Sequence, residues 1–595
     1  MDSLGPDPNV NLHLDDVARV LVQDLTPRLV DLLEIAAYVF SADCSTMRGT
    51  EWSADDSIEP WDRNFRMVIP VRDYQFWSDP KVSGLLVRTL TFLTSDEWAF
   101  DFARMKGDRS ARPYLAFRDD NWPFRGVGRV MMFSGGLDSL AGAVETASAG
   151  EHLVLVSHRS KGMVNQRQQD LVAELKERYP GKVIHVPVWV TKDQRFGREY
   201  NQRSRSFLYV ALGAAVATSV QAGGVRFFEN GIVSINLPPA DEVQRSRASR
   251  TTHPRTLHLF SELLSLVAAR PFAVDNPFIN CTKVEVIQKL ATRRAADLIG
   301  MSCSCAHGLF QSKSQWHCGT CSQCIDRRIA IVAAGLEQHD PETDYVCDVF
   351  CGPRKPGYEQ NMGVNFAHHA ILLDQMSEDQ IATQFNLYFT RAIRDVPEDK
   401  KTSAFAQLVK LHKRHGQAVA SVIQQQIAKH SGRVVAGEVD DTSLLGMVMG
   451  KRHLEPSWRR YCDRIVSLLQ AGLPRMCQTE RPTNEKRLQE LCDGILAGSN
   501  MDLAREFPFM RWSASLTKPD WSSDPLQLCV EAKYIRKKEH IHPITEAIAA
   551  DITKYGDNGQ RVLFIVYDPA HLVPDDAQFG AEVSRRNHML LRFIR

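Results

Sequence analysis

The chain has 595 residues, with 72 Lys+Arg against 71 Asp+Glu and a net charge of +1, which excludes both a single hydrophobic core and a strong whole-molecule field. Its length predicts roughly three or four domains, and any nucleic-acid contact must come from a local patch. Thirteen cysteines, and an opening MDSLGPDPNVNLHLDD without the basic-then-apolar order of a signal peptide, predict reduced thiols in a cytoplasmic protein, with any close cluster binding metal.

Residues 1–125 read as an N-terminal α+β accessory domain. Asp16–Phe40 has helical periodicity through Leu21, Leu25, Leu29, Leu32, Leu33 and Ile35, and Arg66–Arg72 has strand character. Trp52, Trp61, Trp77 and Trp98 supply large side chains for a core of its own. No catalytic constellation is evident in it.

Residues 126–335 alternate strand-like and helix-like segments. Val130–Phe133 is a short apolar run that enters Ser134, Gly135, Gly136, Leu137, Asp138 and Ser139, then the helix-like LAGAVETASA. Strand, glycine turn and helix aim unpaired backbone N–H groups at a phosphate, and Ser134 and Ser139 add hydroxyl donors. No Lys-Ser or Lys-Thr pair follows, so this is not a Walker A loop. The string resembles the PP-loop of the ATP pyrophosphatases, which implies ATP as ligand. Further strands at His152–Ser157, Val183–Val190 and Gly224–Phe228 alternate with helices around Gln166–Arg178 and from Phe207. The uncharged Ser206–Val225 is rich in small residues and reads as a buried helix, not a membrane span. Such alternation predicts a parallel sheet with helices on both faces and ligands at the carboxyl ends of its strands. Ser157 and His158, Arg205, Glu229 and Asn230, and Thr282 and Lys283 fall there, with Ser157 and His158 facing the nucleotide base or ribose.

Cys318, Cys321 and Cys324 are spaced C-x2-C-x2-C, with Cys303 and Cys305 upstream. Three thiolates at this spacing plus a fourth ligand predict a closed, structural zinc site. Cys305, His307 and His317 compete with Cys303 for the fourth position. The loop at 134–139, Gln166, Thr282-Lys283 and the cysteines followed by Arg327-Arg328 resemble 7-cyano-7-deazaguanine synthase, QueC, over about a third of the chain. By that resemblance Cys303 is preferred as the fourth ligand. The resemblance implies ATP-dependent adenylation of a 7-carboxy-7-deazaguanine-type carboxylate, giving an amide and then a nitrile. It also implies that the loop holds the pyrophosphate with Mg²⁺, that Asp138 binds this Mg²⁺ or caps the helix, and that Lys283 or Arg205 neutralises the leaving group. HisCysGly at 317–319 and CysIleAspArgArg at 324–328 look like the QueC-like proteins of bacterial antiphage systems, the Qat and type IV CBASS groups. Those would pass the activated base to an amine of a protein partner. A homodimer is also compatible with the accessory domain.

Residues 336–475 read as a helical bridging region, with helices at Asp379–Ile393, Thr402–Lys413 and Gln417–His430; Arg354, Lys355 and the run KLHKRH are taken as solvated. Residues 476–595 carry the last signal. Asp520 is followed by the apolar Leu526–Val530 and then Glu531, Ala532 and Lys533. Alternation puts Glu531 and Lys533 on one face, and a hairpin brings Asp520 beside them. Two carboxylates suit Mg²⁺ at a scissile phosphate, and the lysine aligns or activates water. The pattern resembles the PD-(D/E)xK core of restriction-type nucleases, which implies DNA as partner. Glu485 or Glu490 would add a carboxylate, and Arg536, Lys537 and Lys538 would contact phosphate. The expected fold class is therefore α/β: a PP-loop, adenine nucleotide alpha hydrolase-like parallel sheet with a four-cysteine zinc site, the N-terminal α+β domain, a helical linker and a restriction-endonuclease-like α/β domain. An effector that only senses ATP or a deazaguanine, and a queuosine-precursor enzyme, are the alternative readings.

Overall fold

The structure is a computed structural model that describes residues 10–13, 25–47, 63–106, 127–158, 163–192, 203–237, 250–306, 315–356, 358–450, 457–477, 481–497, 503–506, 510–512, 515–523, 526, 528–556, 560–586 and 588–595. Trp52, Trp61 and His307 lie outside them. The chain divides into two compact units, Met1–His453 and Leu454–Arg595. No helix among the described residues is long and apolar enough to cross a membrane.

The first unit contains β1 (Val10–His13), α1 (Pro27–Ser45), β2 (Asn64–Val71), α2 (Pro80–Thr94), β3 (Glu97–Arg104), β4 (Val130–Met132), α3 (Leu137–Ser148), β5 (Leu153–His158), α4 (Met163–Arg178), β6 (Val183–Lys192), α5 (Arg205–Ser219), β7 (Gly224–Arg226), α6 (Pro254–Ala268), β8 (Ala273–Asp275), α7 (Lys283–Thr292), α8 (Ser322–Ala333), α9 (Tyr358–Gln375) and α10 (Glu398–Lys429). Its main sheet has the order β1-β6-β5-β4-β7-β8, antiparallel only at β1. The chain moves outward from β4 through β5 and β6, then outward on the other side through β7 and β8. The strand order therefore reverses between β4 and β7, and a crevice opens at their carboxyl ends.

Period-two alternation sends Val130, Met132, Val154 and Val156 into one core with α1, α2, α5 and α6. Met131, Phe133, Leu153 and Leu155 enter a second core with α3, α4, α7 and α8. The described residues before 107 share the first of these cores with the main sheet. α1 packs on α5, and the apolar stripe of one completes that of the other. In the helical region the two helices expected at Thr402–Lys413 and Gln417–His430 are one, α10. It runs through Gly416 because α9 crosses there: a Cβ at Gly416 would meet Asp374 N at 2.7 Å and Ala370 O at 2.8 Å. Arg354, read as solvated, is 2% exposed and donates to the carbonyls of Gly319, Thr320 and Val349.

The second unit contains α11 (Ser457–Met476), α12 (Glu485–Ala497), β9 (Ala504–Arg505), β10 (Met510–Trp512), β11 (Ser515–Thr517), β12 (Trp521–Ser523), β13 (Leu528–Tyr534), α13 (Ile541–Gly556), β14 (Arg561–Tyr567) and β15 (Met589–Ile594). It begins before residue 476, since α11 packs Trp458, Cys462, Ile465 and Leu469 into this unit's core. Its sheet has the order β15-β14-β13-β12-β9, with β13, β14 and β15 parallel and β12 antiparallel to β13. Leu528, Val530, Ala532 and Tyr534 face α11 and α12, whereas Cys529 faces α13. The same alternation turns Glu531 and Lys533 towards α13.

A buried charge network ties the N-terminal elements to the main sheet. Arg63 donates to Asp43 at 2.6 Å and to Asp96 at 2.8 Å, and Asp43 accepts from Ser204 N at 2.8 Å, at the start of α5. Arg63→Ala would leave two buried carboxylates uncompensated, and a loss of about 3–5 kcal/mol is expected in denaturant unfolding. Arg66→Ala removes only an exposed pair with Asp101 and should leave the transition in place.

Candidate functional site

In the second unit, β12 lies against β13 with Trp521 opposite Val530, which carries the preceding Asp520 to the level of Glu531. Asp520 Oδ2 accepts Ala532 N–H at 2.8 Å, and its Oδ1 accepts Gln489 Nε2 at 2.8 Å from α12. Glu531 Oε2 accepts Lys533 Nζ at 3.2 Å, and its Oε1 accepts the Tyr555 hydroxyl at 2.6 Å. Lys533 Nζ also lies 2.9 Å from Asp551 Oδ2. The structure thus brings Asp520, Glu531 and Lys533 into one site and adds three residues the sequence reading did not single out: Asp551 and Tyr555 from α13, and Gln489 from α12. The available signal was a charge on an apolar stripe, because Asp551 and Tyr555 share the helical face of Ile544, Ile548 and Ile552.

Burial raises Asp520 to about 6, with Glu485 adding repulsion, and raises Glu531 to about 7, with Asp520 and Asp551 adding repulsion. Burial pulls Lys533 down, but the surrounding Glu531 and Asp551 outweigh it and leave its ammonium more firmly protonated than usual. Glu485 is raised by burial and feels both Lys533 and Glu531, whereas Glu490 is exposed and paired with Arg487 at 2.9 Å. Two hard carboxylates, one of them already paired with an ammonium, form a donor set suited to a divalent cation. Arg536, Lys537 and Lys538 follow β13 on the exposed surface.

In the first unit the crevice between β4 and β7 gathers a different set. Gly135 has φ +80°, a conformation that favours glycine, and a Cβ there would meet Gln168 Cγ at 3.1 Å. Ser134 Oγ accepts Gly136 N–H at 3.2 Å and lies 3.1 Å from Ser139 Oγ. Leu137 opens α3, with Asp138 in its first turn, where the helix dipole favours an anion. Asp138 Oδ2 accepts Lys283 Nζ at 2.8 Å and Asn230 Nδ2 at 3.2 Å, so the structure joins Asp138 to Lys283. Burial, with Asp138 adding repulsion, raises Glu229 to about 7 and Asp326 to about 6. Asp138 Oδ1 and Asp326 Oδ2 have no hydrogen-bond partner among the described residues. The glycine turn and these two unsatisfied oxygens fit a nucleotide polyphosphate with its cation.

Two of the other expected contact residues have protein partners. Ser157 Oγ lies 2.6 Å from His185 Nε2, whose pKa burial lowers to about 4. The side chain of His158 is outside the described residues. Arg205 donates to the Tyr209 hydroxyl at 2.6 Å, one turn along its own helix. Arg327 and Arg328 are buried against Asp340, and Arg327 also donates to Ser302 Oγ at 2.7 Å, which braces the segment that enters the cysteine cluster.

That cluster consists of Cys305, Cys318, Cys321 and Cys324, whose sulfurs lie within 4.8 Å of one another. Cys303, the preferred fourth ligand, is not in it. Its N–H donates to Gly135 O at 3.0 Å, and its sulfur lies 3.9 Å from Trp316 O. The backbone is thereby pinned to the glycine loop, and Cys305 is the residue delivered to the other three. Four thiols so placed fit tetrahedral zinc.

Residues 459–591 match the family model described as REase_DpnII-MboI, the DpnII-MboI restriction endonucleases. The second unit therefore carries a restriction-endonuclease domain, and the match runs from within α11 to the middle of β15. No curated protein matches the chain. Metal analysis of purified protein should find that Cys305→Ser lowers the zinc content and Cys303→Ser retains it; the reverse pattern would contradict the cluster.

Proposed function

We propose that the chain is a DNA-cleaving enzyme whose second unit hydrolyses phosphodiesters at Asp520, Glu531 and Lys533. The observation that carries this reading is the convergence of those three side chains, with distances of hydrogen-bond length among their partners, inside the segment that matches a restriction-endonuclease family. Asp520 and Glu531 are the residues that would hold Mg²⁺, which when bound supplies charge neutralisation at the scissile phosphate and a more acidic water. Lys533, kept protonated by two carboxylates, contributes a fixed positive charge at the phosphate rather than a base. Arg536, Lys537 and Lys538 supply phosphate contacts that carry no sequence information.

The first unit is read as an ATP site of the QueC-like kind. This is supported by the position of the 134–139 loop at the point where the strand order reverses and by the Asp138–Lys283 pair beside it. Backbone N–H groups at the start of α3 would receive the pyrophosphate, and Lys283 would offset charge on the leaving group. The reaction read for this site is adenylation of a deazaguanine-type carboxylate, with ammonia or a protein amine as acceptor, in antiviral defence. Pyrophosphate release from ATP with 7-carboxy-7-deazaguanine supports that reaction. ATP binding without turnover favours the alternative, a nuclease effector that only senses the nucleotide.

Supercoiled plasmid should be nicked by the full chain with Mg²⁺ and left intact by Asp520→Asn and by Glu531→Gln; persistent nicking in either would sink the assignment. Because the cation needs both carboxylates ionised, nicking at limiting Mg²⁺ should fall as pH drops from about 7 towards about 6. Added Mg²⁺ should move that limb to lower pH by competing with protons.

A further inference from the structure

Two groups at the nuclease site belong neither to the Asp520, Glu531 and Lys533 pattern nor to the basic surface. Asp551 and Tyr555 stand one turn apart on α13, on the stripe that packs Ile544, Ile548 and Ile552 against the sheet. A helix usually keeps that stripe apolar, and a carboxylate buried there to 6% exposure is destabilising without a charged partner. Its partners are a residue of the site and a neighbour on the helix: Asp551 Oδ2 lies 2.9 Å from Lys533 Nζ, and its Oδ1 accepts Lys554 Nζ at 2.9 Å.

The bonds around Glu531 have an order. One oxygen is held at 2.6 Å by the neutral Tyr555 hydroxyl, and the other accepts the Lys533 ammonium at the longer distance of 3.2 Å. A cation arriving at Glu531 competes with that ammonium, because two positive charges on one buried carboxylate oxygen repel strongly. It need not disturb the hydroxyl, whose bond aims the carboxylate. The lysine that yields still has its shorter contact, to Asp551.

We propose that Asp551 is a positioning residue of the nuclease, an inference that rests on the reading of this site as a cation-dependent nuclease. Asp551 keeps the Lys533 side chain within the site while the cation takes the Glu531 oxygen that Lys533 otherwise holds, and Tyr555 fixes the other oxygen. Lys533 thus stands in for the cation until the cation binds.

The test uses the full chain as wild type, Asp551→Asn, Asp551→Glu, Lys533→Met and the Asp551→Asn/Lys533→Met double variant. Ca²⁺ binding is measured by calorimetry, and Mg²⁺-dependent plasmid nicking gives kcat and KM. Asp551→Asn should weaken Ca²⁺ binding and slow kcat by about 10- to 100-fold, with KM for plasmid unchanged. Asp551→Glu should recover part of both effects. In the Lys533→Met background Asp551→Asn should add little. Lys533→Met, which leaves Asp551 paired with Lys554, should tighten Ca²⁺ binding and gives an independent answer if Asp551→Asn does not fold. Wild-type Ca²⁺ affinity in Asp551→Asn, full additivity in the double variant, or no tightening in Lys533→Met would overturn the proposal. Ca²⁺ binding by a wild type that nicks no plasmid would remove the nuclease reading, and the calcium cycle would then decide the role of Asp551 alone.

Discussion

Burying charge is among the most destabilising things a small sheet can do, and the second unit does it three times within one contact shell. Glu531, Lys533 and Asp551 are 5%, 7% and 6% exposed, and β13, which carries two of them, is buried along its whole length. A central parallel strand normally reads as a continuous apolar run. Here one face of the strand stays apolar against α11 and α12, and the other face buries ionisable groups. The surrounding elements are arranged to tolerate this: β12 delivers Asp520, α12 delivers Gln489 and Glu485, and α13 delivers Asp551 and Tyr555. Burial raises the carboxylates, and the negative charge gathered around them adds to it.

The first unit solves a related problem with a different geometry. The order of its strands reverses between β4 and β7, which remain parallel, and the glycine loop, Asn230 and Lys283 meet in the crevice at their carboxyl ends. The loop is not an isolated turn. Gln168 from α4 holds the Ser134 carbonyl at 2.9 Å, and Cys303 N–H holds the Gly135 carbonyl, so the cysteine segment and the loop are one connected framework. The buried Arg327 and Arg328 of α8, the helix that carries Cys324, extend it to Ser302 and Asp340. Zinc in such a place would be a fastening for the crevice rather than a reagent in it.

What was legible in the sequence was local. The strand, glycine turn and helix at 130–148 and the apolar strand before Glu531 are encoded within a few residues, and the structure forms both. What was not legible depended on partners distant in the chain. The first 125 residues carry enough aromatic mass for a separate core, but among the described residues α1 packs on α5 and shares its core. The expectation of two helices, Thr402–Lys413 and Gln417–His430, leaves a gap that α10 runs through, and Gly416 in that gap serves the close crossing of α9. Cys303 and Cys305 differ by two positions, and only a backbone bond to Gly135 decides between them. Asp551 and Tyr555 lie beyond a turn and on another element from Glu531, so spacing could not connect them. Their one trace in the sequence was polarity on an apolar stripe.

If the carboxylates around β13 are a cation site, anomalous diffraction from crystals soaked in Mn²⁺ will locate the ion. A peak is expected between Asp520 and Glu531, with Lys533 withdrawn from Glu531 and still bonded to Asp551. An ordered, intact site without a peak at saturating Mn²⁺, or with Lys533 unmoved on Glu531, would contradict it.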